Sequence, residues 1–154
     1  MPDPVDELPG SVLFACSLNI IRSPIAAGIL EHLAGNRIRI ASAGVRAGAP
    51  DPFAAEIMEE IGIDIRKHKP RAIADIDESE KFDLVISLSP EAHHQALELT
   101  RTMPVKVEYW PTFDATAAAD PADHKKTLEA YRVVREQLFR RIKQRFPLTG
   151  FPRI

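Results

Sequence analysis

The stretch SVLFACSLNIIRSP, residues 11–24, decides the fold. Its first six residues are a continuous apolar run, too short for a helix and without polar alternation, the pattern of a central strand covered on both faces. Ser23-Pro24 then supplies an N-cap and a first-turn proline, and Ile25, Ile29 and Leu33 recur every four residues until Gly35 stops the helix. A strand that passes through a tight loop into a helix N-terminus aims backbone N–H groups and the positive end of the helix dipole at one point. That point attracts a tetrahedral oxyanion.

Working outward, RIRIAS (37–42), FDLVISL (82–88) and PVKVEYW (104–110) repeat the apolar or alternating strand pattern. Between them lie helices with recognisable ends. Asp51-Pro52 opens one whose stripe is Phe53, Ile57 and Ile61, with Gly62 placed for a left-handed cap, and Ser89-Pro90 opens another. The last runs from about Asp123 to Phe146, with Leu128, Tyr131, Leu138, Ile142 and Phe146 on one face. Its basic end, Arg140, Arg141, Lys143 and Arg145, complements the dipole and reads as a solvated face. The expected fold is α/β: a four-stranded parallel sheet flanked by helices on both faces, with a phosphate loop between the first strand and the first helix.

The 154 residues are enough for one domain with its own core, assigned to residues 11–146. Residues 1–10, with Pro2, Pro4 and Pro9 among acidic side chains, read as a flexible leader, and 147–154 as a tail. Twenty Lys+Arg against 22 Asp+Glu give a net charge of −2, which argues against nucleic acid as a ligand. No uncharged stretch reaches the ~20 apolar residues of a membrane span, and the residues before the first apolar run are acidic where a signal peptide would be basic. A cytoplasmic protein, monomeric or weakly dimeric, is expected. The single cysteine excludes an intrachain disulfide and a multi-cysteine zinc site. Neither a metal nor a cofactor is expected; the adjacent His93 and His94 cannot share a helix face and read as solvated surface.

Cys16 closes the first strand, and Ser17, Leu18, Asn19, Ile20 and Ile21 separate it from Arg22. A thiol at a helix N-terminus beside an arginine is favoured as the thiolate, the nucleophilic form. The planar fork of Arg22 can hold two oxygens of a phosphate while loop amides take the third. A buried cysteine ending a core strand is common, but strand, cysteine, five-residue gap, arginine and Ser-Pro helix start rarely coincide without function.

These residues resemble the low-molecular-weight protein tyrosine phosphatases, whose loop reads Cys-x-x-x-x-x-Arg-Ser-Pro. The similarity extends through Ser42-Ala43-Gly44, DPFAAEIMEEIGIDIRKHKPR, FDLVISLSPEAHH and WPTFDAT. It implies the same fold, Cys16 as nucleophile, Arg22 as phosphate clamp within the loop Ser17 to Arg22, and Ser23 donating to the thiolate. It also makes Asn19 the residue that shapes the loop, held by Ser42 and His68; asparagine tolerates a left-handed backbone better than most residues.

Such a phosphatase needs an acid to protonate the departing phenolic oxygen and then, as carboxylate, to activate water. Asp120-Pro121 reproduces the family's Asp-Pro dipeptide, whereas Asp114 lies just after the fourth strand. Asp114 is favoured, because its loop starts at the carboxyl edge of the sheet where Cys16 lies; Asp120 is then a turn residue. The chain departs from the family at Leu18, commonly glycine, at Ile21, commonly a second cysteine, and at Ala115 and Thr116, where aromatic residues usually wall the phosphotyrosyl ring. Phe113, Phe53 and Trp110 could supply an apolar wall, although each fits a core position as well.

The implied activity is a metal-independent phosphatase acting on phosphorylated protein or aryl phosphate through a cysteinyl-phosphate. Two alternatives stay open. An arsenate reductase of the same fold would use Cys16 on arsenate but would need an external thiol, since no resolving cysteine exists. A catalytically impaired homologue would only bind an anion or phosphopeptide.

Overall fold

Every residue of Ser11–Cys16 is buried, as a strand with partners on both edges and helices on both faces requires. The computed structural model describes residues 8–77, 79–120 and 122–148. Within it, β1 (Ser11–Cys16), β2 (Arg39–Gly44), β3 (Leu84–Ser87) and β4 (Lys106–Tyr109) form one sheet in the order β2-β1-β3-β4. All pairs are parallel. Connections from β1 and β3 leave to opposite faces, so the carboxyl end of β1 is the switch point at which open α/β sheets bind ligands. Cys16 stands there, paired with Gly44 of β2.

The helices α1 (Arg22–Ala34), α2 (Pro52–Glu59) and α4 (His124–Arg145) cover one face over a core containing Phe14, Ile25, Ile57 and Leu138. The other face holds α3 (Pro90–Leu99), packed through Ala92 and Ala96 on Leu13, Ala15 and Val85. The alternation Val12/Phe14 against Leu13/Ala15 is the period of two that sends successive side chains to opposite faces. No helix among the described residues is long and apolar enough to cross a membrane.

Two helix starts are capped as their sequences predict, Asp51 accepting from the Phe53 amide and Ser89 from Ala92, and a third is capped by Asp123, which accepts from Lys126. The fourth is not. α1 begins at Arg22, the capping position is Ile21, and no side chain bonds to its free amides; Ser23 lies inside the first turn, fully buried, with its hydroxyl drawn to Asn19 and Cys16. The stripe on α1 is also wider than Ile25, Ile29 and Leu33. Ala26 and Leu30 are fully buried too, while Leu33 is half-buried, because the helix is enclosed by the sheet, α4 and the segment after α2. A side chain at Gly28 would come within 2.9 Å of Ile65 Cγ2.

Other differences are long-range. Residues 1–7 of the expected leader and 149–154 of the expected tail lie outside the described residues, but Leu8 packs on the core and the Gly10 carbonyl accepts from Arg39. Arg145 is not a solvated end of α4: its guanidinium holds the Glu108 carboxylate of β4 at 2.7–3.0 Å. His93 is not solvated either. Its ring stacks on Tyr109 at 4.5 Å and its Nδ1 bonds the Ser87 hydroxyl.

Glu60, which ends α2, ties that helix to α4 through Arg132 at 2.6 Å and Arg135 at 2.7 Å, and Arg135 also donates to the Ile57 carbonyl. Hydrogen bonding from Arg132, joined by Arg135, outweighs partial burial and holds the Glu60 carboxyl at about 2 against the usual 4.5. A depressed carboxyl contributes stability above its unfolded value and loses it as pH falls through the folded one. Urea midpoints between about pH 6 and about pH 2.5 should therefore fall more steeply in the native chain than in Glu60→Gln; parallel slopes would contradict this role.

Candidate active site

The loop after β1 is built so that its carbonyls face away from its centre. The carbonyls of Cys16, Ser17 and Leu18 accept from the amides of Val45, Arg46 and Gly48 at 2.9–3.0 Å, a short extension of β2 running alongside. With their carbonyls engaged outward, successive amides point inward, as in anion-binding nests. Among the described residues, no backbone carbonyl accepts from the amides of Leu18, Ile20 or Ile21. Gly44 makes the close approach possible: a Cβ there would lie 2.5 Å from the Arg46 carbonyl oxygen and 2.8 Å from the Asn19 nitrogen.

Asn19 turns the loop over. It is the one non-glycine residue with positive φ among the described residues, at 57°, and it is fully buried. Its amide side chain donates to the Ser23 hydroxyl at 2.8 Å and to the Ser42 hydroxyl at 2.9 Å, and its carbonyl side accepts from the Arg71 amide at 3.0 Å. The backbone carbonyl of Asn19 accepts from His68 Nε2 at 2.8 Å, which fixes the proton on that ring nitrogen. Leu18, where the family commonly has glycine, does not carry the positive φ.

Cys16 Sγ lies at the centre of this arrangement. The Asn19 backbone amide donates to it at 3.3 Å, and the Ser23 hydroxyl stands 2.9 Å away. Ser23 Oγ accepts from the Asn19 side chain, which leaves its single hydrogen for the sulfur at 2.9 Å or for the Ala43 carbonyl at 3.5 Å.

Cys16, Arg22 and Asp114 line one small cleft of about 100 Å³, together with Leu18, Ile20 and Thr116. Arg22 donates from Nη1 to the Thr112 carbonyl at 3.3 Å, which links the guanidinium to the loop bearing Asp114. That loop is anchored by Trp110, buried against Phe14, and by Gln137 of α4, which donates to the Pro111 carbonyl and accepts from the Phe113 amide. Asp114 Oδ1 accepts from the Thr116 amide at 3.0 Å and its hydroxyl at 2.6 Å. Partial burial would raise this carboxyl, but the Thr116 bonds and the Arg22 charge together hold it below the usual carboxylate range.

The cleft does not include Asp120, whose carboxylate accepts from the Ala122 amide in the turn before α4. Of the three candidate wall residues, Trp110 is core, Phe53 packs beside His124 and Tyr131, and Phe113 is 39% exposed; none lines the cleft. Sequence reasoning missed Gly44 as the floor of the loop and the 45–48 segment as its outer rail. It also missed Arg71, whose guanidinium bonds the Ser42 carbonyl and pairs with Glu80. Arg71 reaches Asn19 across 52 residues, and no local pattern announces it.

A parallel sheet with an oxyanion loop at the end of its central strand, a cysteine in that loop, and an arginine and a carboxylate at its mouth defines a cysteine-based oxyanion enzyme. Residues 11–147 match the low molecular weight phosphotyrosine protein phosphatases, and the chain belongs to that family. Similar curated proteins include an arsenate reductase of Bacillus subtilis (strain 168), 34% identical over 90% of this chain and 96% of the relative. An arsenate reductase of Bacillus licheniformis is 36% identical over 91% and 96%. Among solved structures, an arsenate reductase in its phosphate-binding state has a TM-score of 0.64 at 29% identity, covering 87% of this chain and 94% of that one. An Erwinia amylovora tyrosine phosphatase has a TM-score of 0.62 at 23% identity, covering 88% and 93%, a likeness of fold.

The packing at Gly44 carries its own test. Gly44→Ala should open the loop and weaken inorganic phosphate binding about tenfold or more, while far-UV circular dichroism keeps the native spectrum. Unchanged phosphate affinity would show that the close approach is dispensable.

Proposed function

We propose that this chain hydrolyses phosphate monoesters through a cysteinyl-phosphate. The observation that carries this reading is the convergence of Cys16, Arg22 and Asp114 on one cleft. In the first step Cys16 Sγ attacks phosphorus, the ester oxygen departs with a proton from Asp114, and Arg22 with the loop amides holds the three equatorial oxygens. In the second step the Asp114 carboxylate takes a proton from water, whose oxygen attacks phosphorus. Inorganic phosphate leaves and the Cys16 thiolate returns.

For the first step Asp114 must be protonated, although in the free enzyme Thr116 and Arg22 favour its ionised form. A bound phosphate dianion offsets this. It satisfies the charge of Arg22 and adds negative charge beside the carboxyl, and both effects raise proton affinity.

The relatives named arsenate reductases favour a second reading, in which the same loop takes arsenate, another tetrahedral oxyanion. Cys16 would displace one arsenate oxygen as water and form an S–As bond. Reduction of arsenate to arsenite requires two electrons, supplied when two thiols become a disulfide. Cys16 is the only cysteine in the chain, so the second thiol must be external. An external thiol would attack Cys16 sulfur, release arsenite and leave a mixed disulfide, which a further external thiol would reduce.

Para-nitrophenyl phosphate hydrolysis in EDTA, and arsenate reduction with glutathione as the thiol, separate the two readings. The phosphatase reading expects ester turnover that is abolished in Cys16→Ser. It also expects Asp114→Asn to lose about 10²–10⁴-fold on a poor leaving group while Asp120→Asn stays within about threefold. Arsenite release without ester turnover would establish the reductase instead, and equal losses in the two aspartate variants would remove Asp114 from the acid role.

A further inference from the structure

We propose that Leu18 determines leaving-group specificity: with Ile20 it forms an apolar wall on the rim of the anion loop, against which an aryl group esterified to the bound oxyanion rests. The inference rests on the oxyanion-ester reading above and identifies the part of the ester that the loop amides and Arg22 do not touch.

Four observations converge on Leu18. Its side chain is 37% exposed, and of the four large hydrophobic residues exposed among the described residues it alone lines the Cys16 cleft. An exposed leucine is ordinary; one at the mouth of an oxyanion site is placed to be covered by whatever the oxyanion carries.

The wall is also held in position. The Leu18 carbonyl accepts from Gly48 at 2.9 Å. A Cβ at Gly48 would meet Ile20 Cγ2 at 3.0 Å and Leu18 Cβ at 3.1 Å, so both loop side chains converge on a bare glycine shelf that fits beneath them.

The opposite side of the cleft has no ring to offer. Ala115 is buried, and the Thr116 hydroxyl is committed to Asp114.

The cleft itself, about 100 Å³, is well below the roughly 300 Å³ at which pockets begin to enclose a whole ligand. It accommodates the oxyanion and the linking atom, and the rest of an ester lies across the rim, on Leu18.

Calorimetric titration of the full chain with inorganic phosphate, methylphosphonate and phenylphosphonate tests this without requiring turnover. The native protein should prefer phenylphosphonate to methylphosphonate by about tenfold. Leu18→Gln should lose most of that preference and Leu18→Met should keep it, the readout in each protein being its own ratio of phenylphosphonate to methylphosphonate affinity. The proposal is overturned if the native protein shows no preference, or if the preference survives in Leu18→Gln. It is also overturned if Leu18→Gln weakens phosphate as much as phenylphosphonate, since Leu18 would then be shaping the loop. Failure of the native protein to bind phosphate at all would instead overturn the oxyanion reading, and this proposal with it.

Discussion

The site depends on Asn19 holding a left-handed backbone inside the protein. A non-glycine residue in that conformation costs of order 1 kcal/mol or more, and a buried amide must find partners for its donors and acceptors. Both demands are met by the same contacts. The side chain bonds Ser23, Ser42 and the Arg71 amide, the backbone carbonyl bonds His68, and the backbone amide points at Cys16 sulfur. Residues from β2, from the segment after α2 and from α1 thereby hold one peptide turn, and the inward aim of the neighbouring amides follows from that turn.

The same constraint explains the uncapped start of α1. A serine at the capping position would satisfy the first amides with its own oxygen. Here the helix starts one residue before Ser23, which is turned inward to the sulfur and to Asn19, and no side chain competes for the amides at the helix start. A local signal for helix capping, a serine or aspartate followed by proline, serves two other starts in this chain as expected, at Ser89 and at Asp51. At Ser23 a contact with a residue four positions back overrides it.

That contrast shows what was legible in the sequence. The parallel sheet, the alternation of its strands and helices, the position of Cys16 at the end of the central strand and the caps at Asp51 and Ser89 rest on patterns that span a few residues, and they are visible as such. The roles of Gly44, Arg71, Arg145 and His93 are not, because each is fixed by a partner distant in sequence: Leu18 and Asn19 packing on Gly44, Asn19 with Arg71, Glu108 on Arg145, Tyr109 with His93. The candidate wall residues illustrate the same limit. An aromatic residue near a loop can face the core, as Trp110 does, or solvent, as Phe113 does, and only the packing of α4 against the sheet decides which.

The central claim is that Cys16, only 3% exposed, is a reactive sulfur beneath an anion-binding loop and not a core cysteine. The most direct measurement is the rate at which the folded protein is alkylated at neutral pH by iodoacetate and by iodoacetamide, with and without inorganic phosphate. An anion cup predicts reaction at Cys16, faster with the anionic reagent than with the neutral one relative to a free thiol, and suppressed by phosphate. A thiol that reacts with neither reagent until the protein is unfolded, or whose reaction phosphate leaves untouched, would contradict the account.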